Sequence, residues 1–259
     1  MPMKWFSVSR PTPVLNTASF RSIFSHHSVP VDQDGHPPSF EFVALPSMCF
    51  EVLAELQDHI LEIRWPEYHP RALYIDSRFG SIVSKNNVRK IVPLQAQEIL
   101  QLMEKQVGAA YVWGGNWSAG IPEMLQFYPP SGSLNPRAKQ LWTFHGLDCS
   151  GLLFEASGGS TPRNTSALVH FGTPLEANQL CHLDMIVYPG HVLFVRDSET
   201  IIESKSPFGV RIASLKDRLV EIQRERSFVR HWDYKTDPAR SFTIRRFALG
   251  GAPCATIAL

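Results

Sequence analysis

Six prolines, Pro2, Pro11, Pro13, Pro30, Pro37 and Pro38, fall within the first 40 residues, alongside the polar run Asp32-Gln-Asp-Gly-His36. Proline fixes φ and removes a backbone donor, so short strands and loops are expected in this stretch. The pieces that follow, Phe40 to Ala44, Phe50 to Leu53, Ile60 to Trp65 and Ala72 to Asp76, are rich in β-branched and aromatic residues and are spaced by turn formers. Short strands at that spacing predict a small all-β barrel over roughly residues 8 to 92.

The pattern changes at residues 91–93. From Leu94 to Val107 the apolar positions Ile99, Leu100, Leu102, Met103 and Val107 lie on a helical stripe, and Gly108 supplies a stop. A long irregular stretch, 116–146, precedes the compact segment Asp148-Cys-Ser-Gly-Leu-Leu-Phe-Glu-Ala156, which predicts a buried helix. The remainder predicts strands at Asp184 to Tyr188, His191 to Arg196, Thr200 to Ser204 and Gly209 to Leu215. Helices followed by an antiparallel sheet are an α+β pattern. Two domains are expected, 1–92 and 93–259, the second carrying an inserted segment at 116–146. That segment holds Trp117, Phe127, Tyr128, Trp142 and several prolines. It is expected to be an ordered flap that narrows substrate choice, with a structural surface loop as the alternative.

Charge and cysteine usage narrow the function. Lys and Arg total 25 against 24 Asp and Glu, a formal charge of +1, which lacks the basic excess of a nucleic-acid binder. Cys49, Cys149, Cys181 and Cys254 include no C-x-x-C pair, which argues against a structural zinc site or a disulfide-dense secreted scaffold. The N-terminal residues contain no uninterrupted apolar run of the roughly 7 to 15 residues that a signal peptide needs. No window approaches the roughly 18 apolar residues of a membrane span. A cytoplasmic protein is therefore expected, with the periplasm by unconventional export as the alternative.

A cysteine at the start of a helix sits against unpaired backbone N–H groups and the positive end of the helix dipole, both of which favour thiolate. Cys149 has that placement, with Asp148 of a helix-capping type before it and the small pair Ser150-Gly151 after it. A thiolate nucleophile is normally partnered by imidazole. His191 follows Pro189-Gly190 and opens an apolar strand. A three-residue loop over Arg196, Asp197 and Ser198 would pair Val195 with Glu199 and set His191 directly opposite Glu203, close enough for a hydrogen bond. Cys149, His191 and Glu203 would then be nucleophile, base and orienter. A two-residue loop would shift the register by one and lose the arrangement. Each residue also has a plainer role, since a lone buried cysteine is commonly a small core hydrophobe. Cys181-His182-x-Asp184 resembles a metal cluster only superficially, because neighbouring residues on a strand point to opposite faces.

Tyr111-Val-Trp-Gly-Gly115, Leu147-Asp-Cys-Ser-Gly-Leu152, Thr161-Pro-Arg-Asn-Thr165, Leu183-Asp184, Gly190-His-Val-Leu-Phe-Val195 and Ile201-Ile-Glu-Ser204 leading to Gly209-Val-Arg-Ile212 together resemble the NlpC/P60 family of cell-wall cysteine peptidases over roughly residues 95 to 215. The resemblance implies a papain-like catalytic domain, its central helix packed on an antiparallel sheet, preceded by a small SH3-like barrel. It implies cleavage of the γ-D-glutamyl-diamino acid bond of peptidoglycan stem peptides, without a metal or cofactor. In the branch that carries SH3-like domains, a residue before the cysteine and a tyrosine near the end of the barrel hold a free N-terminal L-Ala. Asp148 and Tyr68 match them, although the Gly-Trp expected after the tyrosine is absent. Ser150, Arg163 and Thr165 match positions that contact the D-glutamate carboxylate, a role for which the Arg fork is suited. Glu203 departs from the usual His, Asn or Gln, and a shifted pH optimum is expected. The alternatives are an amidase or acyltransferase of related thiol-enzyme fold, and a non-catalytic protein that binds wall fragments.

Overall fold

The computed structural model describes residues 3–68, 72–84, 94–176 and 180–247; the boundary at 91–93 and Cys254 lie outside the described residues. In chain order the first elements are β1 (Lys4–Val8), β2 (Thr12–Leu15), α1 (Phe20–Ile23), β3 (Phe40–Ala44), β4 (Cys49–Glu55), β5 (Ile60–Arg64), β6 (Leu73–Asp76) and β7 (Gly80–Val83). Then come α2 (Ala96–Glu104), β8 (Asn116–Trp117), α3 (Met124–Phe127), α4 (Pro136–Trp142), β9 (Gly146–Leu147), α5 (Cys149–Ala156) and α6 (Thr165–Leu168). The last are β10 (Thr173–Pro174), β11 (Met185–Tyr188), β12 (His191–Val195), β13 (Thr200–Lys205), β14 (Gly209–Ser214), α7 (Leu215–Gln223), β15 (Ser227–Phe228) and β16 (Ser241–Arg246). Contacts divide the chain into two compact units, Met1–Ile91 with Val112–Asp148, and Val92–Tyr111 with Cys149–Leu259.

In the first unit β1 to β7 form one sheet in the order β3-β2-β6-β5-β4-β1-β7, with antiparallel pairing throughout. No ladder joins β3 to β7 among the described residues, so hydrogen bonding does not close the sheet into a ring. The β3 edge is covered instead. The Asn116 carboxamide accepts from Val43 N and donates to Val43 O, both at 2.8 Å, standing in for a neighbouring strand. Residues 112–148 group with this unit, and Tyr128, Trp142 and Phe144 of that segment are buried. Phe144 stacks on Phe40 at 3.8 Å between centroids, and Trp142 meets Phe24 edge-on at 5.4 Å. The Tyr128 hydroxyl donates to the buried Asp76 at 2.7 Å, while Trp142 Nε1 donates to Tyr128 O at 2.9 Å. Burial and the neighbouring carboxylate raise the Tyr128 phenol well above its usual range, which keeps it a proton donor in this bond.

The second unit pairs an antiparallel sheet, in the order β10-β16-β11-β12-β13-β14, with helices; β15 adds in parallel beside β16. Leu152, Leu153 and Phe154 of α5 are fully buried, and the helix packs against α2, β12 and β13. A helix that is apolar on every side belongs inside the molecule. Helix α2 begins with a capping box between Gln95 and Glu98 and buries Ile99, Leu100 and Met103 of the expected stripe, while Leu102 is half-buried and Val107 lies beyond the helix and is exposed. Strands β11 and β12 are buried on both faces, which accounts for their nearly continuous apolar run. None of the described helices is long and apolar enough to cross a membrane.

Candidate active site

Cys149 is the first residue of α5 and is 6% exposed. Its Sγ lies 3.9 Å from Gly190 O, so the sulfur sits at the turn that carries His191. That turn is a two-residue hairpin loop: Tyr188 pairs with His191 across β11 and β12, and Pro189 and Gly190 connect them. Gly190 has φ of 99°, a left-handed conformation for which glycine carries no Cβ penalty. Thr165, at the start of α6, accepts from Gly190 N through its hydroxyl at 3.0 Å, fixing the turn from the side.

His191 Nε2 is 2.8 Å from Glu203 Oε2. The register that brings them together differs from the expected one. Val195 pairs with Ile201, not with Glu199, and Phe194 pairs with Ile202. The cause is Asp197, whose carboxylate accepts from Glu199 N at 2.9 Å and Thr200 N at 2.7 Å. That turn moves the loop to residues 197–199, and Arg196 N donates to Thr200 O at 3.0 Å. The register slides by two residues, and an even slide keeps every side chain on its face, so Glu203 remains on the His191 side of the sheet.

Glu203 is fully buried and gathers donors from three elements. Arg211, its cross-strand partner on β14, approaches Oε1 with Nη2 at 2.7 Å and Nε at 3.1 Å. Arg218 on α7 approaches Oε2 with Nη2 at 3.1 Å and Nε at 3.3 Å. Burial alone would raise a carboxyl group, but His191 and the two guanidiniums outweigh it and lower Glu203 from 4.5 to about 2. Sequence reasoning missed both arginines, although each left a trace. Arg211 follows from the hairpin register, and Arg218 interrupts the apolar stripe Leu215, Leu219 and Ile222 of a helix that was not foreseen.

Arg163 is 3% exposed, and its Nη1 donates to Ser150 Oγ at 2.8 Å, which joins two of the residues matched to carboxylate binding. Tyr188 lies beside His191, with ring centroids 5.9 Å apart, and carries Arg226 over its ring at 4.2 Å. Burial pushes the Tyr188 phenol up, so it is a neutral hydroxyl at physiological pH. Asp184 accepts from Cys181 N at 2.7 Å and pairs with Arg246 at 2.8 Å, so its carboxylate organises the turn before β11. Among the described residues no group of three or more His, Cys, Asp or Glu side chains is arranged to hold a metal ion.

In the first unit Tyr68 packs on Trp65 and Phe42, and its hydroxyl donates to Glu41 Oε2 at 2.7 Å. Asn16 Nδ2 donates to the other oxygen of Glu41 at 2.8 Å. The Asp148 carboxylate accepts from Gly114 N at 3.0 Å, tying it to the Trp-Gly-Gly segment.

No family model matches the chain, and no curated protein matches it. Solved structures do. An NlpC/P60 family protein from Bacillus cereus ATCC 10987 aligns at 15% identity and a TM-score of 0.39, covering 95% of this chain and 64% of that one. The peptidoglycan hydrolase RipB from Mycobacterium tuberculosis aligns at 19% identity and a TM-score of 0.37, covering 58% of this chain and 63% of that one. RipD from the same organism, described as a non-catalytic NlpC/p60 domain protein adapted to peptidoglycan binding, aligns at 19% identity and a TM-score of 0.36, covering 49% of this chain and 89% of that one. The chain spans less than two thirds of the length of the first two.

Proposed function

We propose that the protein is a cysteine peptidase of the NlpC/P60 kind, with residues 1–92 an SH3-like domain and 93–259 the catalytic domain. Its substrates are short peptidoglycan peptides with a free N-terminal L-Ala, cut at the γ-D-glutamyl-diamino acid bond. The observation that carries this reading is the convergence of the Cys149 sulfur on the Pro189-Gly190 turn, while the next residue, His191, has its Nε2 held by a buried carboxylate. With Nε2 committed to Glu203, Nδ1 is the nitrogen available to the thiol.

In this reaction the Cys149 thiolate attacks the γ-carbonyl of D-glutamate, and His191 holds the proton taken from the thiol. The amide C–N bond breaks as His191 returns that proton to the leaving amine. Water then hydrolyses the thioester and regenerates the thiol. Glu203 keeps the imidazole in one orientation and one tautomer. Ser150, Arg163 and Thr165 receive the D-glutamate carboxylate. Tyr68 and Asp148 receive the L-Ala ammonium; because the Tyr68 hydroxyl already donates to Glu41, its oxygen lone pairs are the part suited to a cation.

Incubation with L-Ala-γ-D-Glu-diaminopimelate, read by mass spectrometry, is expected to give L-Ala-γ-D-Glu and free diaminopimelate, and Cys149→Ala to give neither. No cleavage by the wild type, or equal cleavage by the variant, overturns the reading. Acetylating the peptide's N-terminus is expected to slow cleavage; an unchanged rate removes Tyr68 and Asp148 from amine recognition.

A further inference from the structure

A heavily charged buried cluster of the second unit adjoins His191. Glu203 has no exposed surface, yet two guanidiniums and an imidazole converge on its two oxygens. One partner for the imidazole would need only a neutral acceptor, and burying a carboxylate for that purpose is costly unless its charge is matched. The match here is built from two different elements. Arg211 comes from the neighbouring strand and puts both Nε and Nη2 on Oε1. Its guanidinium lies 4.3 Å from the Phe208 ring, in the turn between β13 and β14, which limits where the side chain can swing. Arg218 comes from α7, at a core-facing position where an apolar residue would satisfy the helix, and is itself 4% exposed. Its Nη1 is shared with Glu221, and Glu221 is paired at 2.8 Å with Lys205. Among the described residues, Tyr188 on β11 interacts electrostatically with Glu203 and Arg218 of this cluster, and also with Cys149 on α5 and Arg226 after α7.

We propose that Arg211 and Arg218 are positioning residues of the site, which hold the Glu203 carboxylate by one oxygen each so that Oε2 stays presented to His191 Nε2 as a charged acceptor. The proposal deepens the peptidase reading and rests on it for the role of His191. The two arginines do different parts of the work. Arg211 makes the shorter contacts and fixes the carboxylate's rotation through Oε1, whereas Arg218, more deeply buried, supplies the less screened charge beside Oε2. Neither touches the nucleophile, so each acts only through Glu203.

The test is a 13C NMR titration of the Glu203 carboxyl in protein labelled at glutamate Cδ, assigned by its loss in Glu203→Gln, for the wild type, Arg211→Gln and Arg218→Gln. In the wild type Glu203 is expected to remain ionised down to the onset of acid unfolding. In each variant its titration is expected to move upward by about one unit or more, and the acid limb of kcat/KM for the tripeptide to move with it. Arg211→Lys, which keeps the charge without the fork, is expected to restore most of the titration but less of kcat. Arg211 is partly exposed, so its variants keep the test usable if Arg218→Gln fails to fold. An unchanged Glu203 titration in the Arg211 and Arg218 variants overturns the clamp. Because the NMR readout needs no substrate, a protein that cleaves nothing but shows the shifts defeats the peptidase reading while leaving the clamp standing.

Discussion

Glu203 shows how one residue can be legible in a sequence while its surroundings are not. Its alternation along β13 places it on the His191 face under the expected register and equally under the observed one, since the two differ by an even step. Replacing it by Ala is expected to lower kcat for the tripeptide by at least about tenfold; a loss of less than about threefold contradicts an orienting role. Arg163 provides a second residue-level test. Because Lys keeps the charge but not the fork, Arg163→Lys is expected to raise KM by about tenfold or more with a smaller change in kcat, measured by steady-state kinetics. An effect confined to kcat contradicts carboxylate binding. Arg211 and Arg218 escaped the sequence reading for separate reasons. The apolar run that marks β14 as a strand does not reveal its register with β13, and in α7 the charged Lys216, Asp217, Arg218 and Glu221 obscure the apolar stripe over its nine residues.

At the scale of elements, the strands that build the site were visible as short apolar runs, and α5 as a buried helix after Asp148. The loop between β12 and β13 begins one residue later than the expected one, because loop length does not reveal which residue closes it. Asp197 closes it with two backbone bonds. Asp197→Ala is therefore expected to cost about 1 to 2 kcal/mol in urea unfolding, with a rise in hydrogen exchange at Glu199 and Thr200. An unaffected midpoint contradicts the turn's role in setting the register. The segment 116–146 carries a similar lesson. Proline and aromatic content marked it as ordered, but nothing local says which face its aromatics choose. Tyr128 and Trp142 are interior because the Tyr128 hydroxyl finds Asp76 and the Trp142 nitrogen finds a carbonyl. Tyr128→Phe leaves Asp76 short of a donor and is expected to lower stability by about 1 to 3 kcal/mol, again by urea unfolding.

For the whole molecule, the near-neutral charge says little about substrate until it is located. The second unit concentrates five charged side chains around one strand pair, Glu203, Arg211, Arg218, Glu221 and Lys205, and makes its stability depend on pH. A carboxyl lowered from 4.5 to about 2 in the folded state stabilises the fold fully above about pH 4.5 and loses that contribution as the pH falls toward 2. Denaturant midpoints are therefore expected to fall between pH 4.5 and pH 3, and the fall to be smaller in Glu203→Gln, which has no such group to protonate. An identical decline in both proteins contradicts this assignment.

The central claim is that Cys149 is an activated nucleophile served by His191, and alkylation measures it without any assumption about substrate. The protein is treated with iodoacetamide at pH 6, and each cysteine is followed by peptide mass spectrometry. Cys149 is expected to react at least about tenfold faster than Cys49 and Cys181, because an ordinary thiol is almost wholly protonated at that pH, and His191→Ala is expected to remove the advantage. A Cys149 that reacts no faster than Cys49 and Cys181, or equally fast with and without His191, would contradict the account.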